Sequence, residues 1–188
     1  MTHRLFIAID LPPDQRSLVS GTIDTLAASG LPVKWEPSDQ LHITLNFLGR
    51  LDDSAQAALR SRLPAVTSLT APFSLRFYFL EALYRRHIGS LVYLAPTGDL
   101  DALLALQKSL ASLLTDMSIP QPTRFTPHLL LGRLIKADPV STKSTLDRIS
   151  DLEFTPLPPF TVSAITLYES FLTKAGAYHQ KIGHYGLK

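Results

Sequence analysis

Residues 41–49 read Leu41-His42-Ile43-Thr44-Leu45-Asn46-Phe47-Leu48-Gly49, and this alternation decides the fold class. Side chains of a strand point to opposite faces in turn, so His42, Thr44 and Asn46 share one face and Leu41, Ile43, Leu45 and Phe47 the other. The second face is wholly apolar and is expected in the core, Phe47 included. His42 and Thr44 then project together toward a surface or cleft, and Gly49 is expected to end the strand. A related stretch runs Pro127-His128-Leu129-Leu130-Leu131-Gly132-Arg133. There His128 and Leu130 share a face, while Leu129 and Leu131 point the other way.

Outward from these two segments, the chain alternates strand and helix signals. Arg4–Asp10 reads as a strand, and Pro12, Pro13 and Asp14 open a helix that runs to about Ser29, with Gly30 as its stop. Asp52, Asp53 and Ser54 offer caps for a second helix that is expected to end near Pro64. Phe73–Leu80, Ser90–Leu94, Phe125–Leu134, Phe160–Tyr168 and Tyr178–Tyr185 read as strands. Leu100, Leu103, Leu104, Leu106, Leu110, Leu113 and Leu114 form the apolar stripe of a helix after Asp99, and a shorter helix is expected over Pro139–Ile149. The expected class is α/β (α+β): two mostly antiparallel sheets with outer helices around a central cleft. Each half contributes one histidine strand, and residues 1–188 form a single domain of two pseudo-symmetric lobes.

Composition narrows the field. The 188 residues are 45% apolar, enough for a packed core and unlike a disordered chain. With no cysteine there is no disulfide scaffold, thiolate metal site or cysteine nucleophile. No segment approaches the roughly 18 consecutive apolar residues of a membrane helix, and Leu5–Ile9 is too short for the core of a secretory signal. A cytoplasmic location is the expectation. The formal charge of +2 suits a small anionic ligand or a strand end better than long nucleic acid.

The two histidine segments and their flanks resemble the 2H phosphoesterases, and in particular the bacterial and archaeal RNA 2′,3′-cyclic phosphodiesterases once described as 2′-5′ RNA ligases. HITL at His42–Leu45 matches the family's H-x-[T/S]-x signature. RLFIAIDLP near the start, W-x-P-x-x-x-L-H before His42, FLG after it, FTPH and LGR around His128, and ITLYES near the C-terminus match as well. The likeness spans nearly the whole chain. It implies a bilobal fold, hydrolysis of a terminal 2′,3′-cyclic phosphate to a 2′-phosphomonoester, and weak 2′-5′ joining in reverse. One position departs from the pattern: Leu130 stands where a hydroxyl residue is usual. Losing one hydrogen-bond donor to an anion costs on the order of 1.5–3 kcal/mol.

The chemistry of two imidazoles fits that resemblance. In-line opening of a phosphodiester needs one group to take a proton from water and another to give one to the departing ribose oxygen. Imidazole serves in either state near neutral pH, so His42 and His128 are the expected catalytic pair, without metal or cofactor. Which is base and which is acid is open. Thr44 is expected to hold a phosphate oxygen. Thr126 and Arg133 are candidates to replace the hydroxyl missing at Leu130, although Arg133 reaches the cleft only if Gly132 bends its strand.

Tyr168, with Trp35 and Tyr178, is a candidate for base stacking. Arg85, Arg86 and His87 form a basic cluster in an expected loop, while His3, His179 and His184 receive no role. The expected partners are RNA 3′ ends or small cyclic nucleotides, with no membrane and no obligate protein partner. Other readings are a phosphodiesterase of another small cyclic or 2′-5′ linked nucleotide, and a weakly active module that binds RNA ends.

Overall fold

The computed structural model describes residues 1–85, 89–135, 138–173 and 176–188. In chain order the elements are β1 (Thr2–Asp10), α1 (Pro13–Ala28), β2 (Val33–Trp35), a 3₁₀ turn over Ser38–Gln40, β3 (His42–Asp52) and α2 (Asp53–Thr67). They continue with β4 (Phe73–Arg85), β5 (Gly89–Gly98), α3 (Leu100–Asp116), β6 (Leu129–Leu134), α4 (Pro139–Ser150), β7 (Phe160–Val162), β8 (Ala164–Thr173) and β9 (Gly176–Gly186). The first two helices begin where their sequences dictate. Pro13 stands in the first turn of α1, and the Asp52 carboxylate accepts from the Ala55 N–H at 2.8 Å to open α2.

Every pairing among the described residues is antiparallel. One half runs β3-β1-β8-β9, and the other β7-β4-β5-β6 with β2 added beside β6. Among the described residues the two expected sheets are joined at one place, where Ile43 of β3 pairs with Leu129 of β6. That single bridge makes them one curled nine-stranded sheet. Its inner surface is closed by the helices over a core that includes Leu5, Ile7, Ile9, Ile43, Leu59, Leu63, Leu103, Leu106, Leu110, Leu114, Leu129 and Leu131. A separate small cluster of Phe6, Ala8 and Tyr168 lies on the opposite face of β1 and β8. No helix among the described residues is long and apolar enough to cross a membrane.

Several boundaries differ from expectation, each for a physical reason. Gly49 does not end β3: it sits at φ +71° inside a strand that continues to Asp52. The ladder between β1 and β3 slips twice, between Leu5/Phe6 and between Ile7/Ala8, so Leu45 and Leu48 are extra residues on β3. Each slip turns the strand over. Asn46 therefore goes inward, 2% exposed and hydrogen-bonded to Gln121, while Phe47 turns outward at 63% exposed rather than joining the core. Pro64 lies inside α2, which runs to Thr67. Leu104 is exposed, which leaves a narrower buried stripe on α3.

The expected strand over Phe160–Tyr168 is two strands. β7 pairs with β4 in one half, the chain crosses at Ser163, and β8 pairs with β1 in the other. Residues 125–128 lie outside any strand, and β6 begins only at Leu129.

Gly132 is where β2 and β6 come closest. A Cβ there would lie 2.6 Å from Val33 Cγ1, 2.9 Å from the Lys34 carbonyl oxygen and 3.0 Å from Trp35 Cε3. The backbone oxygen cannot turn aside, so Gly132→Ala is expected to push β2 away and lower stability by about 1–3 kcal/mol. A shift of the urea midpoint at unchanged slope checks this; an unshifted midpoint would mean that β2 yields freely.

Candidate active site

His42 and His128 each stand one residue before the bridging pair Ile43 and Leu129. An antiparallel pair has local two-fold symmetry, so the bridge relates the two histidines across it. Both Ile43 and Leu129 are fully buried, which turns the preceding residues to the other face. The local hydrogen bonding repeats as well. His42 Nδ1 lies 2.6 Å from the Gln40 carbonyl oxygen, and His128 Nδ1 lies 2.8 Å from that of Thr126. A carbonyl only accepts, so each Nδ1 carries a proton and Nε2 is the nitrogen left to exchange one.

The Nε2 of His42 meets Thr44 Oγ1 at 3.0 Å, with the hydroxyl donating to the neutral ring. Burial pulls the His42 pKa down to about 4, against the hydrogen bond to Gln40; the charges of His179 and His128 press the same way as burial. His42 is therefore neutral throughout the physiological range. The site wall beside it is aromatic. Phe6 lies 5.0 Å from His42 between ring centres and stacks on Tyr168 at 5.0 Å, only 6° from parallel.

Asp10 lies directly across the ladder from His42. It accepts from Thr166 at 2.9 Å, from Lys181 at 2.6 Å and from the Tyr168 hydroxyl. Burial alone would raise the Asp10 carboxyl, but the hydrogen bonds from Lys181 and Tyr168 and the Lys181 charge hold it below the usual carboxylate range. Burial and the bond to Asp10 push the Tyr168 phenol far up, so it stays a donor.

His179, given no role from sequence, belongs to this wall. Its ring meets Phe6 edge-on at 4.9 Å and His42 edge-on at 5.6 Å. Burial, helped by the charge of Arg4, lowers its pKa. The sequence carries no motif around His179; only the pairing of β9 on β8, which sets His179 opposite Ser170, brings it to the face that bears Tyr168.

The remaining candidates are distributed unevenly. Leu130 is half-buried and lies opposite Tyr93, whose ring meets His128 edge-on at 5.6 Å and whose hydroxyl donates to Glu81. Thr126 is exposed and precedes β6, so strand parity does not place its hydroxyl; its carbonyl is the part that touches His128. A slip in the ladder between Val92 and Tyr93 makes Leu131 an extra residue and returns Arg133 to the face of Leu130. Arg133 is half exposed, with Nε 3.6 Å from a Glu36 oxygen.

Tyr168 does not offer an open stacking surface: it is 4% exposed and covered by Phe6. Trp35 packs against the core, and Tyr178 pairs with Phe171, on residues facing away from His179 along their strands. Arg86 and His87 of the basic cluster lie outside the described residues. Among the described residues no three His, Asp or Glu side chains are grouped to hold a metal ion.

A sequence profile of the 2′-5′ RNA ligase superfamily matches residues 17–170, which include both histidine segments. The chain belongs to that superfamily. Among curated members, the RNA 2′,3′-cyclic phosphodiesterase of Thermotoga maritima is 25% identical over 177 residues, 94% of this chain and 91% of the relative. The protein of the same name from Methanocaldococcus jannaschii is 24% identical and covers 95% of this chain and 98% of its own length. Among solved structures, E. coli LigT complexed with 3′-AMP superposes with a TM-score of 0.75 at 23% identity, over 100% of this chain and 99% of the other. The curled sheet is thus the superfamily's 2H phosphoesterase fold, and at this identity the structural likeness speaks for the fold alone.

Proposed function

We propose that the chain is an RNA 2′,3′-cyclic phosphodiesterase, a phosphoric diester hydrolase that opens a terminal cyclic phosphate to a 2′-phosphomonoester by metal-independent action of His42 and His128. One observation carries this reading: two imidazoles stand across a local two-fold, each with Nδ1 fixed on the carbonyl two residues back. The shared name of the relatives supports the substrate. A cytoplasmic setting and a single domain of two pseudo-symmetric lobes go with it.

The cyclic phosphate lies between the rings, with Thr44 turning its hydroxyl from His42 to a non-bridging oxygen. His42, neutral at rest, takes the proton of the attacking water. The step requires His128 to carry a second proton on Nε2, which it gives to the 3′ oxygen as that oxygen's bond to phosphorus breaks. The bound anion stabilises the imidazolium that forms on His42.

The test is turnover of an oligonucleotide ending in a 2′,3′-cyclic phosphate, in excess chelator, with the products identified. Hydrolysis to a 2′-phosphate is expected; a requirement for added divalent metal would overturn the mechanism. The pH profile tests the roles. The acid limb of kcat/KM reports the free enzyme's base, so it is expected near pH 4, well below an ordinary imidazole. If activity instead rises as pH falls toward 4, His42 is the acid and the roles exchange.

A further inference from the structure

On β1 the side chains of Arg4, Phe6, Ala8 and Asp10 alternate with the buried Leu5, Ile7 and Ile9, so Arg4 shares the face of the catalytic wall. Arg50 of β3 lies directly opposite Arg4 in the ladder. Like charges set opposite one another across strands destabilise a sheet, yet neither guanidinium has an ion pair or hydrogen bond among the described residues. The nearby carboxylates are committed elsewhere. Asp53 and Glu169 bind His3, which projects from the opposite face of β1, and Asp52 caps α2.

One step beyond the pairing of Leu5 with Glu169, Arg4 comes level with Ser170, which is itself opposite His179. A basic row of Arg50, Arg4 and His179 therefore crosses the sheet beside Phe47 and Phe6. The His179 ring leans from that row to within 5.6 Å of His42. Two unpaired guanidinium groups and an imidazole, the last in contact with the His42 ring, form a place for a second anion.

We propose that Arg4, Arg50 and His179 hold the phosphodiester immediately upstream of the reacting cyclic phosphate, so that the protein selects the end of an RNA strand over a mononucleoside cyclic phosphate. This rests on the function proposed above and names its substrate class. Guanidinium groups suit the task, because their forked donors match phosphate oxygens. Phe47, exposed at 63% and propped by Phe6 at 6.2 Å, stands beside the row where the upstream base would stack.

The experiment compares kcat/KM for adenosine 2′,3′-cyclic phosphate and for the dinucleotide ApA ending in a 2′,3′-cyclic phosphate, in wild type, Arg4→Ala and Arg50→Ala. Wild type is expected to favour the dinucleotide by about tenfold or more, and each variant to bring the ratio of the two values toward one. The salt dependence of dinucleotide binding should become shallower in both variants. Equal kcat/KM values in wild type, or variants that lose equally on both substrates, would overturn the subsite. Equilibrium binding of ApA 2′-phosphate against 2′-AMP makes the same comparison without turnover. A protein that hydrolyses neither substrate, yet loses its dinucleotide preference in binding when Arg4 is replaced, would keep the subsite and refute the enzyme.

Discussion

His42→Ala and His128→Ala are each expected to lower kcat on a cyclic-phosphate oligonucleotide by on the order of 10²–10⁴-fold, the usual worth of a positioned acid or base. The two losses should be similar in size and far from additive in the double variant, because base and acid serve one transition state. Folding should survive both changes. His128 adjoins the irregular segment before β6 and, among the described residues, hydrogen-bonds only to the Thr126 carbonyl, while His42 gives up its bonds to the Gln40 carbonyl and Thr44 and its ring contacts with Phe6, Tyr168 and His179. Burial that depresses the His42 pKa opposes protonation of the folded state, so removing the imidazole also removes a liability in acid. Single-turnover kinetics in chelator, beside thermal melts at pH 7, decide the matter. A variant that stays folded and keeps more than a tenth of wild-type activity would exclude its histidine from the chemistry.

The sequence foretold the strand that carries His42 and the one that begins just after His128, because their patterning is local. In HITL the alternation of faces holds from His42 to Leu45, although Leu45 is already an extra residue on β3, and the assignment of His42 and Thr44 to one face agrees with the structure. It fails one residue later. A slip in the pairing is a property of two strands together, and nothing in Asn46-Phe47 announces that the residues on either side of them, Leu45 and Leu48, have no partner on β1. Asn46 and Phe47 accordingly exchange places between core and cleft. Arg133 shows the same thing from the other side, since an extra residue at Leu131 carries it to the face that strict alternation denies it.

The crossing at Ser163 was invisible for a related reason. Phe160–Tyr168 is a continuous run of strand-forming residues, and only the partners of β7 and β8 show that it serves both halves of the sheet. His179 lay further still from local pattern. It reaches His42 through β9 pairing with β8 and β8 with β1, two ladders that fix its position without any signal in Tyr178-His179-Gln180. The longer strands were therefore legible, and so were the residues that flank the bridge; the short β2, the division of β7 from β8 and positions depending on register were not.

Thr44 and Leu130 bear the second large expectation. The superfamily pattern places a hydroxyl two residues after each histidine, and this chain keeps only one of them. Thr44 is half-buried, its Oγ1 3.0 Å from His42 Nε2, poised to turn to a phosphate oxygen. With leucine at 130, the other strand offers no matching donor at that place, and the Tyr93 hydroxyl opposite is given to Glu81. The developing charge thus leans on one side-chain hydroxyl where two are usual, and Thr44→Val should cost about 10²–10³-fold in kcat, as removal of a single oxyanion donor does. Valine keeps the shape and β-branching of threonine, so the loss belongs to the hydroxyl. Leu130→Thr should move the other way, raising kcat up to about tenfold by supplying a second donor. It should also soften the effect of Thr44→Val when the two are combined, because either hydroxyl can then reach the phosphate. A Thr44→Val protein as fast as wild type would mean that the backbone or Arg133 holds the anion, and the departure at Leu130 would then carry no cost.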